Sequence, residues 1–83
     1  MHYVYVLRSE KNKDIYIGFT SNLKVRFNLH NRGKVRSTKA YKPWKLVYFE
    51  AYFSKPDATK RERELKIHAA KNELLKRLKN SLA

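Results

Sequence analysis

Residues 3–19 read YVYVLRSEKNKDIYIGF, and the alternation within this stretch decides the fold. Tyr3 to Leu7 and Ile15 to Phe19 are runs of β-branched, apolar and aromatic residues, which suit a half-buried pleated surface. The polar segment Ser9 to Asp14 between them predicts a turn, so the pair is expected to form a β-hairpin. Side chains alternate along a strand. Tyr3 and Tyr5 therefore share a face of the first strand, and Tyr16, out of step with Ile15 and Ile17, takes the opposite face of the second from those isoleucines. Two phenol hydroxyls can converge, although aromatics on a basic sheet also serve as core packing or as stacking platforms for bases.

Downstream, the spacing Leu23, Phe27, His30 predicts a short helix, with Thr20, Ser21 and Asn22 as cap candidates and Gly33 as its stop. Lys34 to Lys45 is basic, contains Pro43 and has no periodicity, which predicts a loop; the dense apolar run Leu46 to Phe53 predicts a strand. Ser54, Lys55, Pro56 and Asp57 resemble a capping box, followed by helix formers to about Ala70, where a second helix is expected to begin. Leu74, Leu75, Leu78 and Leu82 line one side of that last segment. The order β-β-α-β-α-α implies an α+β domain. A crossover through the first helix returns the third strand antiparallel beside the first, predicting a three-stranded antiparallel sheet of order 2-1-3 flanked by helices on both sides.

At 83 residues, 42% of them hydrophobic, the chain is expected to be one folded domain. It has no cysteine, which excludes a disulfide framework, a thiolate metal site and a cysteine nucleophile. No apolar run approaches the roughly 20 residues of a membrane span, so a cytoplasmic setting is expected. Twenty Lys and Arg against seven Asp and Glu give a formal charge of +13. These cations are spread from Arg8 to Lys79, which favours a nucleic-acid partner over a membrane surface. Charge alone does not separate binding from cutting.

Inward-facing polar residues separate sites from surface. Arg26 and His30 lie one turn apart, with Leu23 and Phe27 on the same side of the first helix. On the next helix, Ala58, Glu62, Leu65 and Ala69 form one stripe, whereas Glu64 points nearly opposite. An inward arginine and an inward glutamate have two readings: a structural ion pair, or a phosphate clamp beside a metal ligand.

The triplet Tyr3-Val4-Tyr5, followed by Tyr16-Ile17-Gly18, resembles the paired signatures of the GIY-YIG nucleases. Asn22-Leu23 with Arg26 is similar to that family's helix arginine, His30 to its variants with histidine one turn later, and Ala58 with Glu62 and Lys66 to its metal-binding glutamate helix. The resemblance runs from about His2 to Lys66, and its four elements together are specific where each triplet alone is not. Two departures are visible. Tyr3 stands where the family has the first glycine, and the distal asparagine of some members has only Asn72 as a counterpart by position. No separate DNA-binding module is expected within these 83 residues, so specificity would come from the domain itself or from a protein partner.

The resemblance implies DNA phosphodiester hydrolysis, in the setting of repair or recombination, with Glu62 holding one Mg²⁺ or Mn²⁺, Arg26 clamping the phosphate and Tyr16 orienting water or phosphate. It leaves the general base open. Tyr5 needs a stabilised phenolate, since a free tyrosine titrates near about 10, whereas His30, with a reference value of about 6.5, suits neutral pH better. Lys34, Arg36, Lys39 and Lys42 form a candidate track for the nucleic-acid backbone, or else a merely solubilising loop. A binding module on the same fold, without turnover, is the alternative to the enzyme. An interaction or ribosome-associated protein would explain the charge but not the inward glutamate.

Overall fold

The hairpin forms with β1 at His2–Ser9 and β2 at Ile15–Thr20 in a computed structural model that describes all 83 residues, Met1–Ala83. Ser9 organises the turn: its hydroxyl accepts from the backbone N–H groups of Lys11 and Asn12, and its carbonyl from that of Lys13. Lys13 takes φ +68°, the left-handed conformation that closes the turn. β3 spans Trp44–Tyr52 and pairs antiparallel with the other edge of β1, giving the order β2-β1-β3. The α+β architecture, the antiparallel sheet and its order are those the sequence implied.

Strict alternation breaks once. Val6 faces Tyr48 and Leu7 faces Leu46, so Val47 is an extra residue, a β-bulge. Helix α1, Leu23–Asn31, covers one face of the sheet, where Tyr5, Leu7 and Trp44 pack with Tyr16, Leu23, Phe27 and Leu46. Helices α2, Lys55–Leu65, and α3, His68–Arg77, cover the other, where Val4, Val6 and Ile17 meet Ala58, Leu65 and Leu74. Asn22 is the α1 cap, its side chain accepting from the N–H of Val25, and Gly33 ends the helix at φ +72°.

Three local expectations are corrected. Ser54 precedes α2 but makes no side-chain capping bond: Pro56 removes one amide donor from the first turn, and Asp57 is shorter than the glutamate a capping box uses. The helix also stops at Leu65 instead of near Ala70. Ile67 is extended there, with φ −81° and ψ 133°, and the chain turns without glycine or proline to signal it. Ala69 is consequently exposed and leaves the inward stripe to Ala58, Glu62 and Leu65.

Candidate active site

Because Leu7 pairs with Tyr16 and Tyr5 with Gly18, the two tyrosines project from the same face, beneath α1. Their ring centroids are 6.3 Å apart. Gly18 makes that arrangement feasible: a Cβ there would lie 2.5 Å from both Cζ and the hydroxyl of Tyr5, so only a glycine lets the phenol cross. His30 descends from α1 and packs edge-on to both rings, at 5.6 Å from Tyr5 and 5.0 Å from Tyr16. Trp44 backs Tyr16 at 6.2 Å.

His30 is fully buried, with both ring nitrogens engaged: Nε2 lies 2.8 Å from the Tyr5 hydroxyl and Nδ1 lies 2.7 Å from Oγ1 of Thr38. The Thr38 hydroxyl lies 3.4 Å from the Val35 carbonyl, which favours the tautomer in which Nδ1–H donates to Thr38 and Nε2 accepts the Tyr5 proton. Burial, with the nearby Arg26 charge, lowers the imidazole pKa to about 4, so the ring is neutral at neutral pH. Of the two base candidates, His30 has no solvent-exposed face, and Nε2 is covered by the Tyr5 hydroxyl. Tyr5 itself is only 1% exposed. Burial raises its pKa above the usual tyrosine value, the polar contact with Arg26 opposes this, and Tyr16 and the charge of Glu62 add smaller upward pushes.

Arg26, on the α1 flank facing the tyrosines, is partly buried. Its contact with Tyr5 raises its pKa and outweighs burial, which works to lower it, while Tyr16 adds a smaller upward push. It has no carboxylate partner, and its buried Nε has no hydrogen bond. The structural pair of Arg26 with Glu62 that spacing allowed is absent. Glu62 pairs instead with Lys66, one turn along α2, at 3.1 Å. It approaches from the layer opposite α1, and Lys66 shares a shallow cleft with Tyr16 and Lys71. Tyr5, Tyr16, Arg26 and His30 thus form one cluster, with Glu62 at its margin; Glu64 is exposed.

No group of three or more histidine and acidic side chains converges anywhere in the chain. The Glu62 carboxylate, one-fifth exposed and tied only to a half-exposed lysine, fits an ion that keeps most of its shell as water and substrate phosphate, as Mg²⁺ does. Lys34, Arg36, Lys39 and Lys42 are all exposed on a segment pinned from within by buried Val35 and Thr38. The indole of Trp44 donates to the Thr38 carbonyl, and Ser9 to the Tyr41 carbonyl, which holds this basic segment against the hairpin. Asn72 is exposed on α3 beside Leu75, Lys76 and Lys79.

A partly buried ion pair does exist, and sequence reasoning missed it. Glu50 on β3 receives two nitrogens of Arg61 from α2 and the hydroxyls of Tyr48 and Tyr52. Burial works to raise its pKa, but the bonds from Arg61, Tyr48 and Tyr52 outweigh it and hold the carboxyl below the usual glutamate value. The available signal was a carboxylate inside the otherwise apolar, aromatic run Leu46 to Phe53.

A three-stranded 2-1-3 sheet that gathers two tyrosines and an unpaired arginine beneath α1, with a glutamate from α2 at the margin, defines the class. The description GIY-YIG catalytic domain matches residues 1–79, and the chain belongs to that family, an endonuclease superfamily. It is similar to a UPF0213 protein of Staphylococcus haemolyticus, 39% identical over 74 residues that cover 88% of this chain and 89% of that one. A UPF0213 protein of Clostridium perfringens is 42% identical over 67 residues, 80% of this chain and 71% of the other. The solution NMR structure of a UPF0213 protein from Bacillus halodurans superposes with a TM-score of 0.58 at 32% identity, covering 90% of this chain and 82% of that chain. No helix is long and apolar enough to cross a membrane.

Proposed function

We propose that this chain is a metal-dependent endonuclease that hydrolyses DNA phosphodiester bonds. The observation that carries the reading is Arg26: a half-buried guanidinium laid against two phenols, without a carboxylate to neutralise it, is a seat for a phosphate. Arg26 would hold a phosphoryl oxygen and stabilise the charge that grows there. Tyr16, less buried than Tyr5, would orient the phosphate or the attacking water. Tyr5 would take the water proton as its own passes inward to neutral His30, whose Nδ1–H already has an acceptor in Thr38. Glu62 would hold Mg²⁺ or Mn²⁺, which supplies Lewis-acid stabilisation of developing negative charge. Lys34, Arg36, Lys39 and Lys42 would track the backbone. The setting would be the cytoplasm, in repair or recombination, with a protein partner adding specificity.

The binding-module reading draws on the closure of Tyr5 and His30 to solvent. Incubation with branched, flapped, nicked and plain DNA, with and without Mg²⁺ or Mn²⁺, separates the two. Metal-dependent cleavage that Arg26→Ala abolishes supports the nuclease; tight binding without cleavage under every condition supports the module.

A further inference from the structure

The β3 bulge shapes a surface that the cleavage chemistry does not use. With Val47 as the extra residue, Leu46 and Phe49 emerge on the same face of the sheet. Together with Tyr3 of β1 and Leu23, Lys24 and Phe27 of α1, they line an open groove of about 680 Å³. Phe49 is 50% exposed, and its ring meets Tyr3 edge-on at 6.1 Å. The groove and the candidate active site flank α1 on opposite sides. His30 turns toward β1 to meet Tyr5, whereas its neighbour Asn31 turns to β3 and bonds to the backbone of Trp44. Successive residues Arg26 and Phe27 divide in the same way, one against the tyrosines and one in the groove.

We infer that this groove receives unpaired bases of a DNA strand whose backbone is held at Arg26. The inference rests on the nuclease reading and names its substrate class: DNA with a single-stranded segment beside the bond to be cut. Flat aromatic walls stack on any base without reading its edge, which suits a chain with little apparatus for sequence readout. Bases inside a duplex have their faces covered and cannot enter. Charge selects the occupant as well. No lining residue is acidic, Lys24 stands at the rim, and a net charge of +13 draws in a polyanion while repelling a second copy of this chain.

The test is fluorescence anisotropy in EDTA with three labelled probes: oligothymidylate, a duplex of the same length, and an abasic strand of that length. Phe49→Ser is expected to weaken oligothymidylate binding roughly tenfold while changing duplex and abasic-strand binding by less than about twofold. Phe49→Tyr should restore the loss, and Phe49→Leu, which keeps apolar volume without a flat ring, should not. Thermal melts of each variant check the fold. Equal losses on all three probes, or no loss on oligothymidylate, would overturn the inference; so would a Phe49→Ser effect that appears only as a change in sedimentation, which would assign the groove to self-association. Failure of the nuclease reading looks different: no probe is cut in Mg²⁺, yet the selective loss persists.

Discussion

The phenol oxygen of Tyr5 lies 2.8 Å from Nε2 of His30, and His30 has no solvent-exposed surface. A neutral imidazole in that position makes stability depend on pH. Its folded pKa of about 4 lies below the unfolded value of 6.5, so as pH falls below 6.5 the unfolded chain takes up a proton that the folded chain refuses. Stability should decline from pH 6.5 toward 4, by up to about 3 kcal/mol. Glu50, whose folded pKa is depressed, contributes in a lower window: its share is present above its unfolded value of 4.5 and is lost as pH falls through the folded one. Urea midpoints at constant ionic strength check this. A profile for His30→Asn as steep as wild type between pH 6.5 and 4.5 would remove His30 as the cause.

Gly18→Ala should be destabilising out of proportion to one methyl group. The added carbon meets Cζ and the hydroxyl of Tyr5 at 2.5 Å, and Tyr5 has no free space to retreat into. A loss of about 1–3 kcal/mol is expected, with disturbed Tyr5 geometry. Tyr5→Phe should lose a similar amount for another reason, by leaving Nε2 of His30 buried without a partner. Chemical denaturation of both variants is the measurement.

Glu62→Gln should abolish metal-dependent cleavage and leave the melting temperature and DNA affinity nearly unchanged, whereas Glu64→Gln should change neither. The ion pair that Glu62 makes with Lys66 is a partly exposed i,i+4 pair, worth about 0.3–0.5 kcal/mol, so folding does not depend on it. Cleavage and thermal unfolding of wild type and both variants decide. Full activity in Glu62→Gln would exclude it as the metal ligand.

Glu50→Ala should do the reverse. Its removal leaves Arg61 without its carboxylate and two tyrosine hydroxyls without an acceptor on the α2 side of the sheet. With Arg61 partly open to water, a loss of about 2 kcal/mol is expected, less than for a fully buried pair. Residual cleavage should follow the folded fraction, which activity measured across a denaturant series would show.

Replacing Lys34, Arg36, Lys39 and Lys42 with alanine should flatten the salt dependence of duplex binding. Each phosphate contact contributes a slope of about 0.9 in log K against log salt, and the loss should be uniform across sequences. An unchanged slope would mark the four as solubilising charges.

The hairpin, the sheet order and the inward placement of Tyr5, Tyr16, Arg26 and His30 were legible because each follows from a period of two or of three to four residues. The bulge at Val47, the break at Ile67 and the Glu50–Arg61 pair were not. A bulge depends on how β3 registers against β1, distant in sequence, and Ile67 carries none of the usual punctuation. Pairing of charges was a correct idea with the wrong partners: spacing shows that Glu62 and Arg26 both turn inward, but not that they serve opposite layers of the sheet.

The extra residue in β3 also bears on how this strand can change in length. Loss of Val47 would restore uninterrupted pairing, and one half of the strand would then have to rotate relative to the other. If the first half turned, Trp44 would leave its place behind Tyr16; if the second turned, Glu50 would leave Arg61. A single-codon deletion here would therefore be far more damaging than most point substitutions in the same strand, whereas the exposed turn at Glu10–Lys13 offers a place for insertions that leaves both faces in phase.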